Sequence, residues 1–362
     1  MPLLLIDSRG SGIFFAMRTA GELILADGSK YPGKSFGAEK SMAGEVVFTT
    51  GMVGYPESLT DPSFAGQILV MTYPLIGNYG VPAADGWESD RIWVSGLVVS
   101  SYVETPSHVS SQQTLGNWLE KQGIPAIEVR DTRALTQKLR EVGTMLGKLE
   151  IGSKRASDYD PNNDNLVAKV STTKVTEMGG GRKKVVLIDC GAKASIAQEL
   201  VKRGVRVVRV PWNYDFIDRG LVYDGVVVSN GPGDPKMVVK TVEVVKKLLK
   251  SQEPVLGICL GNQIMALAAG GDTYKLKYGH RGQNQPCIEI STERCYMTSQ
   301  NHGFAVGKVP NGFRAWFANA NDETNEGIIH EQKPFFSVQF HPEANPGPED
   351  TGFIFDKFIG EL

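Results

Sequence analysis

Residues 257–261 read Gly-Ile-Cys-Leu-Gly. A cysteine between two glycines, entered by an apolar run from Val255 and followed by a helix-forming stretch, has the shape of a nucleophile turn. Small neighbours let the backbone bend sharply, and the helix behind it aims N–H groups and a positive dipole at the sulfur. An isolated cysteine would read as a buried core residue. The paired glycines and the strand-to-helix position make Cys259 a candidate nucleophile instead. Such a sulfur needs a base, and the base needs an orienting group. Of the five histidines, His341 stands in Phe336-Ser-Val-Gln-Phe-His-Pro-Glu343, at the end of an apolar strand and two residues before a carboxylate. A lone strand-end histidine is more often structural, but Glu343 can fix the tautomer of His341. A third segment, Ser229-Asn-Gly-Pro-Gly-Asp-Pro235, is a rigid turn whose exposed N–H groups suit a carboxylate or an oxyanion. It lacks the Gly-Lys-Ser/Thr ending of a phosphate loop and, alone, would pass for a connector.

These groups need a framework to hold them. From residue 185 onward strands and helices alternate: Val185–Asp189, Ser195–Arg203, Val205–Val210, Gly225–Ser229, Val238–Ser251, Val255–Cys259 and Gln263–Ala269. This pattern predicts a doubly wound α/β domain with a mainly parallel sheet. The first part is different. A hairpin is expected around Asp27-Gly28, strands at Val46–Phe48, Ile68–Met71, Ile92–Val94 and Val98–Val99, and helices at Thr114–Gln122 and Thr132–Val142. Asp131 or Thr132 would cap the second helix and Gly143 would end it. This reads as a separate small α/β domain. The polar, turn-rich stretch before residue 184, ending in Gly179-Gly-Gly-Arg-Lys-Lys, is expected as a linker. The divisions are therefore 1–17 as an N-terminal extension, 18–169 as the first domain, 170–184 as the linker and 185–362 as the second domain.

Composition narrows the function classes. The 362 residues suit two domains, and 41% hydrophobic with 22% charged residues is ordinary for a globular chain. A formal net charge of −2 gives no field for nucleic acid or an anionic membrane surface. No run approaches the roughly 20 apolar residues of a membrane span. The four cysteines, Cys190, Cys259, Cys287 and Cys295, form no CxxC pair, so zinc and redox motifs lack support and no metal is expected. They suit a reducing compartment, with the cytoplasm first and a mitochondrial address left open by Arg9 and Arg18.

Gly-Ile-Cys259-Leu-Gly, His341-Pro-Glu343 and the 229–235 turn together resemble the class I glutamine amidotransferases. Two earlier segments, Gly44–Ser63 and Gln67–Gly80, resemble the N-terminal domain of the carbamoyl-phosphate synthetase small subunit, as do Asp131-Thr-Arg and Leu135-Thr. Tyr278-Gly-His-Arg-Gly-Gln-Asn-Gln-Pro and Ser299-Gln-Asn-His-Gly-Phe-Ala-Val fit the same subgroup, and the resemblance covers about residues 20–362.

The resemblance implies a glutaminase that works through a cysteine thioester. Cys259 would attack the glutamine amide, with His341 as base and Glu343 holding it. The N–H groups of Gly233 and Leu260 would form the oxyanion hole. Gln263 would contact glutamine, and Ser63, Gly231, Asn301, Gly303 and Phe304 would bind its α-amino and α-carboxylate groups. Ser63 would come from the first domain, which puts the site near a domain junction. One position departs from the family, which usually carries His where this chain has Asn262. Asparagine keeps a donor and an acceptor but cannot titrate. The implied partner is a synthetase large subunit or fused synthetase domain, which would use ATP and magnesium; no cofactor is expected in this chain. The product would serve pyrimidine synthesis, with arginine synthesis or a non-hydrolysing regulatory module as alternatives. A cysteine or ester hydrolase using the same turn is a further reading.

Overall fold

The computed structural model describes residues 4–6, 13–15 and 18–362. Much of the expected 1–17 extension thus lies outside the described residues; strands β1 (Leu4–Ile6) and β2 (Ile13–Phe15) within it pair antiparallel. By Cα proximity the chain forms two compact units. The first holds residues up to Thr49, Gly66–Gly86 and Val94–Asp160. The second holds Thr50–Ala65, Trp87–Trp93 and Pro161–Leu362.

The first unit starts with the expected hairpin. Gly28 takes φ 84° between β3 (Ala20–Leu25) and β4 (Lys30–Ser35), a left-handed conformation that glycine adopts without strain. Five more strands follow: β5 (Met42–Thr49), β6 (Gln67–Met71), β7 (Gly96–Val99), β8 (Ala126–Val129) and β9 (Met145–Ile151). In the order β3-β4-β8-β7-β6-β5-β9, with β9 pairing back onto β3, they close a barrel. The parallel run β5 to β8 has almost no exposed position, and Val46, Ile68, Leu69, Val98 and Ile127 are fully buried. Helix α2 (Leu115–Lys121) is capped by the Thr114 hydroxyl, which accepts from Asn117 N. Helix α3 (Thr132–Val142) is capped by Asp131, which accepts from Ala134 N, and stops at Gly143 with φ 114°. Only one of the two strands expected between Ile92 and Val99 forms: β7 starts at Gly96, and Ile92–Val94 lies outside any strand.

The second unit contains α1 (Tyr55–Thr60), α4 (Val167–Val170) and a ten-stranded sheet. Five strands form its parallel heart in the order β12 (Arg206–Pro211), β11 (Lys184–Asp189), β13 (Gly225–Val228), β14 (Val255–Ile258) and β19 (Phe335–Val338). Alternation along these strands sorts the core into two layers. Val186, Ile188, Val226 and Val228 pack with Val244, Val245 and Leu248 of α6 (Val239–Leu248) and Ile264 and Met265 of α7 (Leu260–Ala268). Val185, Leu187, Val227, Leu256 and Ile258 pack with Ile196 and Leu200 of α5 (Ala194–Lys202) and Ile354, Phe355 and Phe358 of α8 (Phe353–Glu361).

The rest of the sheet is antiparallel. Strand β10 (Thr176–Met178) pairs on the β12 edge, so the segment expected as a linker carries a strand of the sheet. Beyond β19 lie β18 (Asn325–His330), β16 (Arg294–Lys308), β15 (Asp272–Glu289) and β17 (Phe313–Asn319). The sheet thus keeps the expected parallel heart and extends it with antiparallel strands on both sides. Four segments leave the carboxyl ends of parallel strands: residues 190–193 after β11, 229–235 after β13, Cys259 after β14 and 339–343 after β19. That edge is where open α/β sheets place their ligands.

Candidate active site

Strand β14 runs straight into α7 through Cys259, whose φ of 53° and ψ of −102° are rare for a residue with a side chain. The flanking glycines permit this. A Cβ on Gly257 would lie 2.6 Å from the Gly261 carbonyl oxygen and 2.9 Å from Ser337 Cβ, and one on Gly261 would lie 2.1 Å from the Val228 carbonyl oxygen. The Cys259 N–H donates to Val338 O at 2.9 Å, which ties the turn to β19. The residue is 2% exposed.

His341 is held by its own backbone and by its neighbour. Its N–H donates to Ser299 O on β16 at 2.9 Å, and its Nδ1 lies 2.6 Å from Glu343 Oε1. Nε2 has no hydrogen-bond partner among the described residues and is the nitrogen left for the Cys259 sulfur. Burial opposes charge on the ring, yet the Glu343 carboxylate and Cys259 outweigh it and hold His341 well above the ordinary histidine range. The ring is therefore an imidazolium at neutral pH. Burial likewise opposes charge on Glu343, but Lys193 and then His341 hold its carboxyl well below the usual carboxylate range.

Lys193 carries no motif that would mark it in the sequence. It follows β11, is 4% exposed, and its Nζ lies 3.1 Å from Glu343 Oε1 and 3.4 Å from Glu88 Oε1 while donating to Ala344 O at 2.8 Å. Glu88 in turn accepts from Ser195 N at 3.0 Å and Asn345 Nδ2 at 2.8 Å. The only hint in the sequence is a lysine among small residues at a strand end, Cys190-Gly-Ala-Lys193.

The expected substrate-binding positions fall into linked groups. Asn301 O is 3.8 Å from the Cys259 sulfur, and Asn301 Nδ2 donates to Asp61 Oδ2 at 3.0 Å. Asp61 Oδ1 accepts from Ser63 N at 2.9 Å, and Ser63 Oγ accepts from Asn230 Nδ2 at 2.9 Å. Asp61 and Asn230 are thus site-positioning residues that sequence reasoning missed. By Cα proximity Ser63 clusters with the second compact unit, as do the other residues of 50–65. Gln263 Nε2 donates to Phe304 O at 2.7 Å. A Cβ on Gly231 would meet Cys190 O at 2.1 Å, so only glycine lets the 229–235 turn lie against the backbone that follows β11. Gly233 takes φ 85°, and a Cβ on Gly303 would lie 3.2 Å from the Arg281 guanidinium.

Beneath Asn301–Phe304 lies a second buried cluster, His280, His302 and Glu326, whose potential ligand atoms fall within 4.8 Å of one another. Both ring nitrogens of His302 are taken, Nδ1 by Phe304 O at 2.8 Å and Nε2 by Gln300 at 3.0 Å. Burial, then the neighbouring His280, push His302 well below the ordinary range.

Comparison with known proteins decides what this arrangement belongs to. Residues 186–360 match the family model for glutamine amidotransferase class-I. Residues 23–149 match that for the carbamoyl-phosphate synthase small chain, CPSase domain. The chain belongs to the class-I glutamine amidotransferases that carry a carbamoyl-phosphate synthase small-chain domain. Relatives include multifunctional protein URA2 of Saccharomyces cerevisiae, 47% identical over 93% of this chain and 17% of that one. Multifunctional protein CAD of Squalus acanthias is 49% identical over 93% and 16%. The human mitochondrial carbamoyl-phosphate synthase [ammonia] is 47% identical over 93% and 23%. The amidotransferase chain thus spans about a fifth of the length of these relatives. Among solved structures, a putative GMP synthase component from Thermoplasma acidophilum aligns at 26% identity and TM-score 0.44, over 49% of this chain and 92% of that one. No helix among the described residues is long and apolar enough to cross a membrane.

Proposed function

We propose that this chain hydrolyses glutamine at Cys259 and passes the ammonia to a carbamoyl-phosphate synthetase, for the first step of pyrimidine synthesis. The observation that carries the reading is a buried cysteine on a strained strand-to-helix turn, together with a histidine whose Nδ1 is held by Glu343. The Cys259 thiolate, its proton held on His341, attacks the side-chain amide carbon, and the carbonyl oxygen takes the negative charge. The N–H groups of Leu260, at the start of α7, and of Gly233 receive it. The C–N bond then breaks, His341 gives its proton to the departing nitrogen, and ammonia leaves a thioester on Cys259. Water, deprotonated by the now neutral His341, attacks the acyl carbon and the C–S bond breaks; the new carboxyl gives its proton to solvent as glutamate leaves, with Cys259 a thiolate and His341 protonated again. Ser63, Gly231, Gln263, Asn301, Gly303 and Phe304 would hold the amino-acid end of glutamine. The synthetase partner, as a fused domain in the manner of the multifunctional relatives, would use ATP and magnesium, and this chain needs no cofactor of its own. The four free cysteines suit the cytoplasm.

A regulatory module without hydrolysis is the competing reading, since one group of relatives bears the name carbamoyl-phosphate synthase [ammonia]. The intact Cys259, His341 and Glu343 favour hydrolysis. Incubation with glutamine and assay of glutamate, with the synthetase partner present, tests it. The wild-type chain is expected to form glutamate, and Cys259→Ser to lose about a thousandfold or more. Background glutamate from wild type, or a Cys259→Ser protein that still hydrolyses, would overturn the proposal.

A further inference from the structure

We infer that Gln339 is an additional catalytic residue, whose side-chain amide donates a hydrogen bond to the Cys259 sulfur and is locked in that orientation by Gln263 and Asn262. The inference rests on Cys259 being the nucleophile. Gln339 leaves β19, is fully buried, and places Nε2 3.6 Å from the sulfur.

Which end of a side-chain amide faces a neighbour has to be argued from its partners. Here a backbone carbonyl settles it. Phe304 O can only accept, so the atom of Gln263 that meets it at 2.7 Å is the nitrogen. That nitrogen also lies 3.1 Å from one terminal atom of Gln339, which must therefore be the oxygen. Asn262 Nδ2 donates to the same oxygen at 3.2 Å, and Asn262 Oδ1 accepts from the Ser337 hydroxyl at 2.7 Å. The remaining end of Gln339, its NH2 group, is the one turned to Cys259. Asn262 and Ser337 are also fully buried, so no water competes for these groups.

The sulfur thus sits between two unlike partners. The carbonyl oxygen of Asn301, 3.8 Å away, can accept from a thiol but repels a thiolate. The Gln339 N–H does the opposite, since a hydrogen bond to a charged acceptor is stronger than one to a neutral acceptor. Gln339 therefore favours negative charge on sulfur twice. It does so before attack, and again when the thioester C–S bond breaks and its electron pair returns to sulfur. Position 262 gains a role as well. An asparagine there, which cannot titrate, orients Gln339 in the same way at every pH.

The test reads the sulfur directly. Purified chain is alkylated with iodoacetamide across a pH series, and the Cys259-containing peptide is quantified by mass spectrometry, because Cys295 is exposed and will also react. Gln339→Met keeps the volume and removes the donor. We expect the midpoint of its pH–rate curve to move upward and Cys259 to react about tenfold more slowly near neutral pH. With glutamine, kcat should fall with little change in KM. Asn262→Ala, which leaves Gln339 in place but removes one orienting donor, should shift the midpoint the same way by less, and carries the test if Gln339→Met does not fold. A folded variant with the wild-type midpoint overturns the inference, as does a uniform slowing with no shift. Because alkylation needs no glutamine, variants that show the shift alongside a wild-type chain that makes no glutamate would sink the glutaminase reading and leave this one standing.

Discussion

Lys193 holds one positive charge between two buried carboxylates, Glu343 and Glu88, at 3.1 and 3.4 Å. Removing one partner from such a cluster leaves the others buried without compensation, which typically costs about 3–5 kcal/mol. Lys193→Met should therefore lower the stability of the folded chain by about that amount, measured by urea unfolding near neutral pH. Glu343 gives a separate, pH-resolved expectation. Its carboxyl is held below its unfolded value, so its contribution is fully present above the usual carboxylate range and is lost as pH falls through the folded value. The stability gap between wild type and Glu343→Gln should be open at neutral pH and close progressively below about pH 4.5 in thermal unfolding. At this scale much was legible. Cys259, His341 and Glu343 carry their own local context in the chain. Asp61 and Asn301 were harder to link, because the contact that joins them spans 240 positions and leaves no periodic trace.

The turn between β14 and α7 depends on close packing of backbone against backbone. A methyl group on Gly261 would fall 2.1 Å from Val228 O, so α7 would have to move away from β13. Gly261→Ala is expected to cost about 1–3 kcal/mol and to slow alkylation of Cys259 at every pH, because the turn itself shifts. The same junction explains which elements could be read in advance. Helix α3, the hairpin at Gly28 and the β–α–β order after residue 184 follow from caps, turn residues and short-range period. The antiparallel half of the sheet does not. Strand β15 runs for 18 residues with register shifts between Lys275 and His280 and between Gly282 and Gln285, and each shift resets the alternation that would mark a strand. Strand β10 hides in a glycine-rich, charged stretch because only one edge of it pairs.

As a whole, the chain joins a seven-stranded barrel unit to an amidotransferase unit and matches only about a fifth of its multifunctional relatives. Should the complete polypeptide contain a synthetase, Cys259→Ala should abolish carbamoyl phosphate formation from glutamine yet preserve formation from added ammonium salt, assayed side by side. Loss of both would mean that Cys259 matters beyond ammonia supply. The imidazolium of His341 has a thermodynamic consequence for the molecule. Its folded pKa lies above its unfolded one, so the stability it gives is complete below the ordinary histidine range and declines as pH rises through the folded value. Between those limits, near pH ~8, the native chain holds a proton that the unfolded chain cannot. In a Cys259→Ala chain, where no sulfur takes it up on unfolding, melting there ejects that proton into the solvent, and the buffer absorbs it. The heat recorded in a calorimeter should then be smaller in Tris, which binds a proton with much release of heat, than in phosphate, which binds one almost athermally.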